Sequence, residues 1–209
     1  MTFVLGLTGS IGMGKSATAA MFRARGVPVH DADATVHALY RGAAVPLIEE
    51  AFPGTTRDGA VDRVALGARV VGDDDAMKRL EGIVHPLVRA AEVAFVGRAL
   101  ETRVPLVVLD VPLLMENGAD LRCDAVLVVT ADPAVQKARV LARPGMTQER
   151  FAAILARQLP DSEKRRRAHV VIDTGRGFEA AERAVDALIR SFAGRSGRAA
   201  RSITDKDDA

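Results

Sequence analysis

The run GSIGMGKS, Gly9 to Ser16, constrains this chain more than any other feature: it matches G-x-x-x-x-G-K-S/T and lies between an apolar segment and a helical pattern. Glycine at 9, 12 and 14 lets the backbone adopt conformations barred to bulkier residues and turns several N–H groups toward one anion. The N-terminus of the following helix adds its partial positive charge. The expected phosphate cradle is therefore Gly9, Ser10, Ile11, Gly12, Met13, Gly14, Lys15, Ser16 and Ala17. Lys15 is placed to reach the β- and γ-phosphates of a nucleotide, and the Ser16 hydroxyl to bind Mg²⁺.

A cradle of this kind needs a buried strand before it and a helix after it, and the rest of the chain repeats that alternation. Five short segments are β-branched or continuously apolar and bounded by turn or charge signals: residues 3–8, 27–31, 105–111, 124–130 and 169–174. They read as buried parallel strands. Helical spacing follows the first at Ala17, Ala20, Met21 and Ala24, and recurs near the end at Phe178, Ala181, Val185, Leu188 and Phe192. The expected fold is α/β, a P-loop NTPase-type, doubly wound parallel five-stranded sheet. The interval of about 34–104 is too long for one crossover helix and is Ala-rich, so an inserted helical subdomain is expected there. A small helical lid is expected over 136–160, where arginines flank the Pro144-Gly145 turn. Residues 1–193 then form one domain that includes the insertion and the lid. Residues 194–209, with almost no large apolar side chain, read as a disordered tail.

Bulk properties narrow the function. A chain of 209 residues with 48% apolar content buries a substantial core, and a net charge of +2 from 29 basic and 27 acidic residues argues against a dedicated nucleic-acid binder. The Arg165 to Arg167 run reads as a solvated surface. A lone Cys123 forms no internal disulfide, which fits a reducing, cytoplasmic setting. The apolar N-terminal run breaks at Gly9 without a charged leader or cleavage signature, and no stretch approaches the ~18 apolar residues of a membrane span. The expected protein is a monomer or weak homo-oligomer acting on a small molecule.

A phosphate loop alone serves ATPases, GTPases, kinases and silent nucleotide binders alike. Asn117 is the only asparagine and stands in MENG, so the N-K-x-D element that reads guanine is absent. Asp110 closes the third strand in VVLD, where it is either a magnesium-binding acid or a polar strand terminus. The second strand delivers VHDAD, with Asp31 and Asp33 at its carboxyl end, beside the phosphate loop in any sheet that keeps these two strands adjacent. Either aspartate also suits a helix N-cap.

With a Leu7-Thr8 pair before the loop and D-A-D at this interval after it, the chain resembles the dephospho-CoA kinase family. The resemblance implies an ATP-dependent transfer to the ribose 3′-hydroxyl of dephospho-CoA, with Asp33 accepting the hydroxyl proton. Thr8 and Asp31 then belong with the substrate site. Residues 85–89, HPLVR, resemble the family's H-P-x-V-R element, which implies acceptor contacts for His85 and Arg89; a guanidinium suits a phosphate. VPLLME, Val111 to Glu116, resembles V-P-L-L-F-E with Met115 for the aromatic, and Gln136 to Gln158 resembles the lid, whose Arg139 and Arg143, four apart, are expected on one helical face over the ATP phosphates. Pro160 and Lys164 continue the likeness. The last strand departs from it, with Thr174 where the family has asparagine.

Overall fold

In the computed structural model, which describes residues 2–205, every expected strand forms. β1 (Phe3–Thr8) leads through the glycine-rich loop into α1 (Lys15–Ala24) and then β2 (Val29–Asp31). Next come α2 (Ala32–Leu39), α3 (Ala44–Ala51), a hairpin of β3 (Thr56–Arg57) and β4 (Ala60–Val61), α4 (Arg63–Val70) and the long α5 (Asp74–Glu101). β5 (Leu106–Asp110) and β6 (Ala125–Thr130) precede α6 (Pro133–Leu141), α7 (Gln148–Leu155) and α8 (Asp161–Arg167). The order closes with β7 (Val170–Asp173), α9 (Phe178–Phe192) and α10 (Ala199–Thr204). No helix among the described residues is long and apolar enough to cross a membrane.

The chain divides into two compact units. One runs to His30 and resumes at Val96; its sheet has the order β2-β5-β1-β6-β7, and the pairs β1–β5, β1–β6 and β6–β7 are parallel. Side-chain alternation serves both faces of this sheet. Leu127 and Val129 of β6 join Leu5 and Leu7 of β1 in a core with Phe22 of α1 and Val185 and Leu188 of α9. Val126 and Val128 point the other way, onto Leu114, Met115 and Ala119. Burial on both faces is why these strands are nearly continuous apolar runs.

The order corrects one expectation. β5 lies between β1 and β2, so the D-A-D strand is not the immediate neighbour of the phosphate-loop strand. The register pairs Leu7 with Asp110, which brings the third strand's acid, rather than the second's, alongside the start of the loop. Two helical faces also differ from the spacing. In α1 the buried residues are Thr18, Ala19, Met21 and Phe22, because one large ring outweighs several alanines in choosing the inward face. Phe178 heads α9 but is 73% exposed, while Ala181, Val185, Leu188 and Phe192 are buried.

The second unit is Asp31–Phe95, narrower than the expected 34–104 insertion, because the last turns of α5 belong with the sheet unit. It has its own core around Ile48, Phe52, Leu66, Leu80 and Val84, and it contains the short β3–β4 hairpin as well as helices. Local caps mark its helix starts: Asp31 accepts from Ala34 N at 3.0 Å, and Asp62 from the backbone N of Val64 and Ala65 at 3.0 Å each.

The disordered tail expected from residue 194 is corrected as far as Asp205, while 206–209 lie outside the described residues. The Asp124 carboxylate accepts from Arg198 N at 2.7 Å and Ala199 N at 3.0 Å, which starts α10, and from Val4 N at 2.8 Å, which ties that start to β1. Ala200 and Ile203 are then each 1% exposed. A cap supplied from so far away in sequence outweighs the tail's polar composition. Ile203→Ala is expected to cost about 2–4 kcal/mol, as a buried truncation does. Urea unfolding checks this, and an unchanged midpoint would return the segment to the status of a tail.

Candidate functional site

The loop's glycines are required for two different reasons. Gly12 and Gly14 have φ of 80° and 90°, in the left-handed region where a side chain is strained. Gly9 is instead closed by space, since a Cβ there would lie 2.5 Å from Val129 Cγ2 and 2.7 Å from Val129 O. Within the loop, Met13 N donates to Ser10 O at 3.1 Å, and Ile11 N donates to Gln158 Oε1 at 3.0 Å. Among the described residues no protein acceptor takes the amides of Gly12, Gly14, Lys15, Ser16 or Ala17. These amides and the N-terminus of α1 are a ready anion site. Ser10 and Met13 are buried, and Met13 Sδ accepts from Ala131 N at 3.0 Å.

Lys15 Nζ lies 2.7 Å from Asp110 Oδ1, with side-chain exposures of 14% and 2%. The acid at the end of β5 therefore holds the loop lysine. Mg²⁺ prefers oxygen donors and usually keeps waters and phosphate oxygens beside one or two protein groups. The exposed Ser16 hydroxyl and the Asp110 carboxylate are donors of that kind, whereas no cluster of three His, Cys, Asp or Glu side chains suited to a metal exists among the described residues.

Thr8 corrects an expectation. Its side chain is fully buried and its Oγ1 donates to Pro112 O at 2.9 Å, so it braces the end of β1 instead of meeting a substrate. The same Pro112 carbonyl lies 3.5 Å from Lys164 Nζ. Lys164, also fully buried, pairs with Glu116 at 2.8 Å, and Glu116 Oε1 accepts from Leu159 N at 2.8 Å. The VPLLME segment thus packs by an internal ion pair, one that Lys164's place in a Lys-Arg run did not disclose.

The two lid arginines do not share a helical face. α6 ends at Leu141, and Arg143 lies past its cap, its N–H donating to Val140 O at 3.1 Å before the Pro144-Gly145 turn. Arg139 donates to Thr174 Oγ1 and to Thr174 O, both at 2.9 Å. Thr174 Oγ1 in turn lies 2.9 Å from Met13 O and donates to it, so the residue replacing the family asparagine links Arg139 to the phosphate loop. Arg143 is exposed and has no carboxylate partner among the described residues. In the second unit, Asp31 is committed to capping α2, while Asp33, in the first turn, is exposed and has no hydrogen bond or ion pair among the described residues. His85 is an exposed residue of α5, and Arg89 is held by the buried Glu92. Sequence reasoning gave no role to Gln136. It is buried, and its Nε2 donates to Ile11 O at 2.7 Å. With Gln158 it holds both backbone polar groups of Ile11, its N–H and its carbonyl, and the only signal was that each stands at an end of the lid segment.

A family model described as CoaE, dephospho-CoA kinase, matches residues 3–179. The chain belongs to the dephospho-CoA kinase family. It is 61% identical over 194 residues to the dephospho-CoA kinase of Mesorhizobium japonicum, covering 93% of this chain and 98% of that one. It is likewise 61% identical over 176 residues to that of Rhodopseudomonas palustris, covering 84% and 88%. Among solved structures, TT1252 from Thermus thermophilus superposes with a TM-score of 0.80 at 37% identity, covering 91% of this chain and 97% of that one. Dephospho-CoA kinase from Campylobacter jejuni, at 22% identity and a TM-score of 0.63 over 91% of this chain and 97% of its own, shares the fold. As a dephospho-CoA kinase family member the chain is a phosphotransferase that takes a nucleotide donor. In such an enzyme the loop's shape sets donor affinity, so Gln136→Ala is expected to weaken nucleotide binding by about 5- to 30-fold, the cost of one lost bond to a loop carbonyl. Titration with a fluorescent nucleotide measures it, and wild-type affinity in the variant would remove Gln136 from the cradle.

Proposed function

We propose that this chain transfers the γ-phosphoryl group of ATP to the ribose 3′-hydroxyl of dephospho-CoA, giving CoA and ADP. The observation that carries the reading is the division of labour in D-A-D: Asp31 caps the helix, and Asp33, in its first turn, keeps an uncommitted carboxylate. The loop amides and Lys15 hold the β- and γ-phosphates. Lys15 has three donors, so it can hold a phosphate oxygen and Asp110 together. Ser16 and Asp110 are the residues for Mg²⁺, which neutralises phosphate charge when bound. Asp33 orients the 3′-hydroxyl and takes its proton as the new O3′–P bond forms and the bond to the ADP oxygen breaks. Arg143 supplies a further cation to the phosphates on lid closure, while Arg139 acts through Thr174 on the loop.

The acceptor is a free small molecule in the cytoplasm, met by a monomer or weak homo-oligomer without nucleic acid or membrane. The Arg165 to Arg167 run supports this: the three pair in turn with Asp161, Glu163 and Asp120, which leaves little free charge for a polyanion. Purified protein with ATP, Mg²⁺ and dephospho-CoA is expected to yield CoA and ADP by product mass. ADP release stimulated by another acceptor, without CoA, would replace the substrate but not the kinase.

A further inference from the structure

Lys164 carries a charge into the interior of the sheet unit that no step of the transfer uses. It stands on α8 just before three exposed arginines, yet its own side chain is fully buried. Its Nζ lies 2.8 Å from Glu116 Oε1 and 3.5 Å from Pro112 O, both in the turns that follow β5. Stability alone is a poor account of such a pair, because taking two charges out of water costs about as much as their attraction returns. The hydrogen bonds agree. Glu116 Oε1 takes both Lys164 and the Leu159 N–H, while Oε2 is buried and takes no hydrogen bond among the described residues. A buried pair selected for stability would be expected to satisfy both oxygens.

What the pair does satisfy is geometry, since two arms run from it to the phosphate loop. In the first, Glu116 fixes Leu159 N at 2.8 Å, and the neighbouring Gln158 accepts from Ile11 N at 3.0 Å. α7 ends at Leu155, so Gln158 lies past the helix and depends on that anchor for its place. In the second, Pro112 O accepts from Thr8 Oγ1 at 2.9 Å, and Thr8 directly precedes Gly9. Asp110, at the head of the same segment, pairs with Lys15 at 2.7 Å. The stretch from Asp110 to Glu116 therefore reaches the loop at Thr8, at Lys15 and, through Leu159 and Gln158, at Ile11. Lys164, set between Pro112 and Glu116, is the charge on which that stretch folds.

We propose that Lys164 is a positioning residue for the phosphate donor: acting through Glu116 and Gln158, it sets the place of Ile11 in the loop and so the loop's affinity for a nucleotide's phosphates. This role rests on the loop being the donor cradle, and not on which acceptor receives the phosphoryl group.

The test is titration of the full chain with a fluorescent ADP analogue, with thermal melting followed in parallel. Lys164→Met alone strands the Glu116 carboxylate in the interior, so it is combined with Glu116→Gln, which removes the second charge and keeps an oxygen for Leu159 N. This double variant is expected to melt close to wild type and to bind the analogue about 3- to 10-fold more weakly, the worth of one neutral hydrogen bond. Exchange of the Ile11 amide is expected to quicken while the amides of β1 keep their protection, which a general loss of stability would not produce. Gln158→Ala is expected to weaken binding similarly, and its addition to the double variant to cost little more, because all three changes act through one bond. Wild-type affinity in the double variant, or losses that multiply when Gln158→Ala is added, overturns the positioning role. If the double variant does not fold, Glu116→Gln alone is read against the same two outcomes. Failure of the unmodified protein to bind the analogue overturns the donor cradle and this role with it.

Discussion

Lys15→Ala is expected to lower the rate of phosphoryl transfer by about 10²- to 10³-fold, the scale on which removing one preorganised charge stabiliser acts. Lys15 begins α1 directly after the left-handed Gly14, so its ammonium projects from the same short arc as the free loop amides. Charge moves onto the β–γ bridging oxygen as the transferred group departs, and only a cation already in place follows it without reorganisation cost. The variant also deprives the buried Asp110 of its cationic partner, so the protein is expected to melt at a lower temperature than wild type. The two effects separate if the chemical step is read by rapid quench on protein shown by circular dichroism to be folded. A near-normal single-turnover rate in that folded variant would remove the loop from the chemistry.

Asp33→Asn is expected to lower the chemical rate by roughly 10²- to 10⁴-fold while ATP affinity is retained, the range for losing a positioned acid or base. The substitution keeps size and removes basicity. A loose transition state asks for little early deprotonation, so the loss combines proton acceptance with orientation of the hydroxyl. Asp31→Asn is the matched control. Asparagine still offers an oxygen to the Ala34 N–H and caps as well as aspartate, so α2 keeps its start and the rate is expected to stay close to wild type. If Asp31→Asn abolishes transfer and Asp33→Asn does not, the roles of the two carboxylates are reversed.

The parts of this site that were legible in sequence are those whose chemistry is local. The cradle, its lysine and the capping competence of D-A-D each depend on a few consecutive residues, and they were found where their motifs stood. The misread parts depend on distant partners. Thr8 looked available until Pro112 O took its hydroxyl, and no sequence signal disclosed that two of Arg139's donors go to Thr174. The spacing of Arg139 and Arg143 implied one face only while the helix was assumed to continue, and it stops at Leu141 before the Pro144-Gly145 turn. Gln136 was passed over because a lone glutamine on a helix has no periodic or motif signal; its role exists only when Ile11 lies beside it.

The sequence by itself determined the strands, the phosphate loop between the first strand and its helix, and the family, because short-range pattern and backbone chemistry suffice for these. Tertiary structure alone decided the strand order that puts Asp110 beside the loop, the ordering of α10 by Asp124, and which of the arginines remain uncommitted. The physical reason is common to all three. A polar side chain's role is set by which donors and acceptors reach it, and those come from residues far apart in sequence that meet only after the sheet has chosen its order.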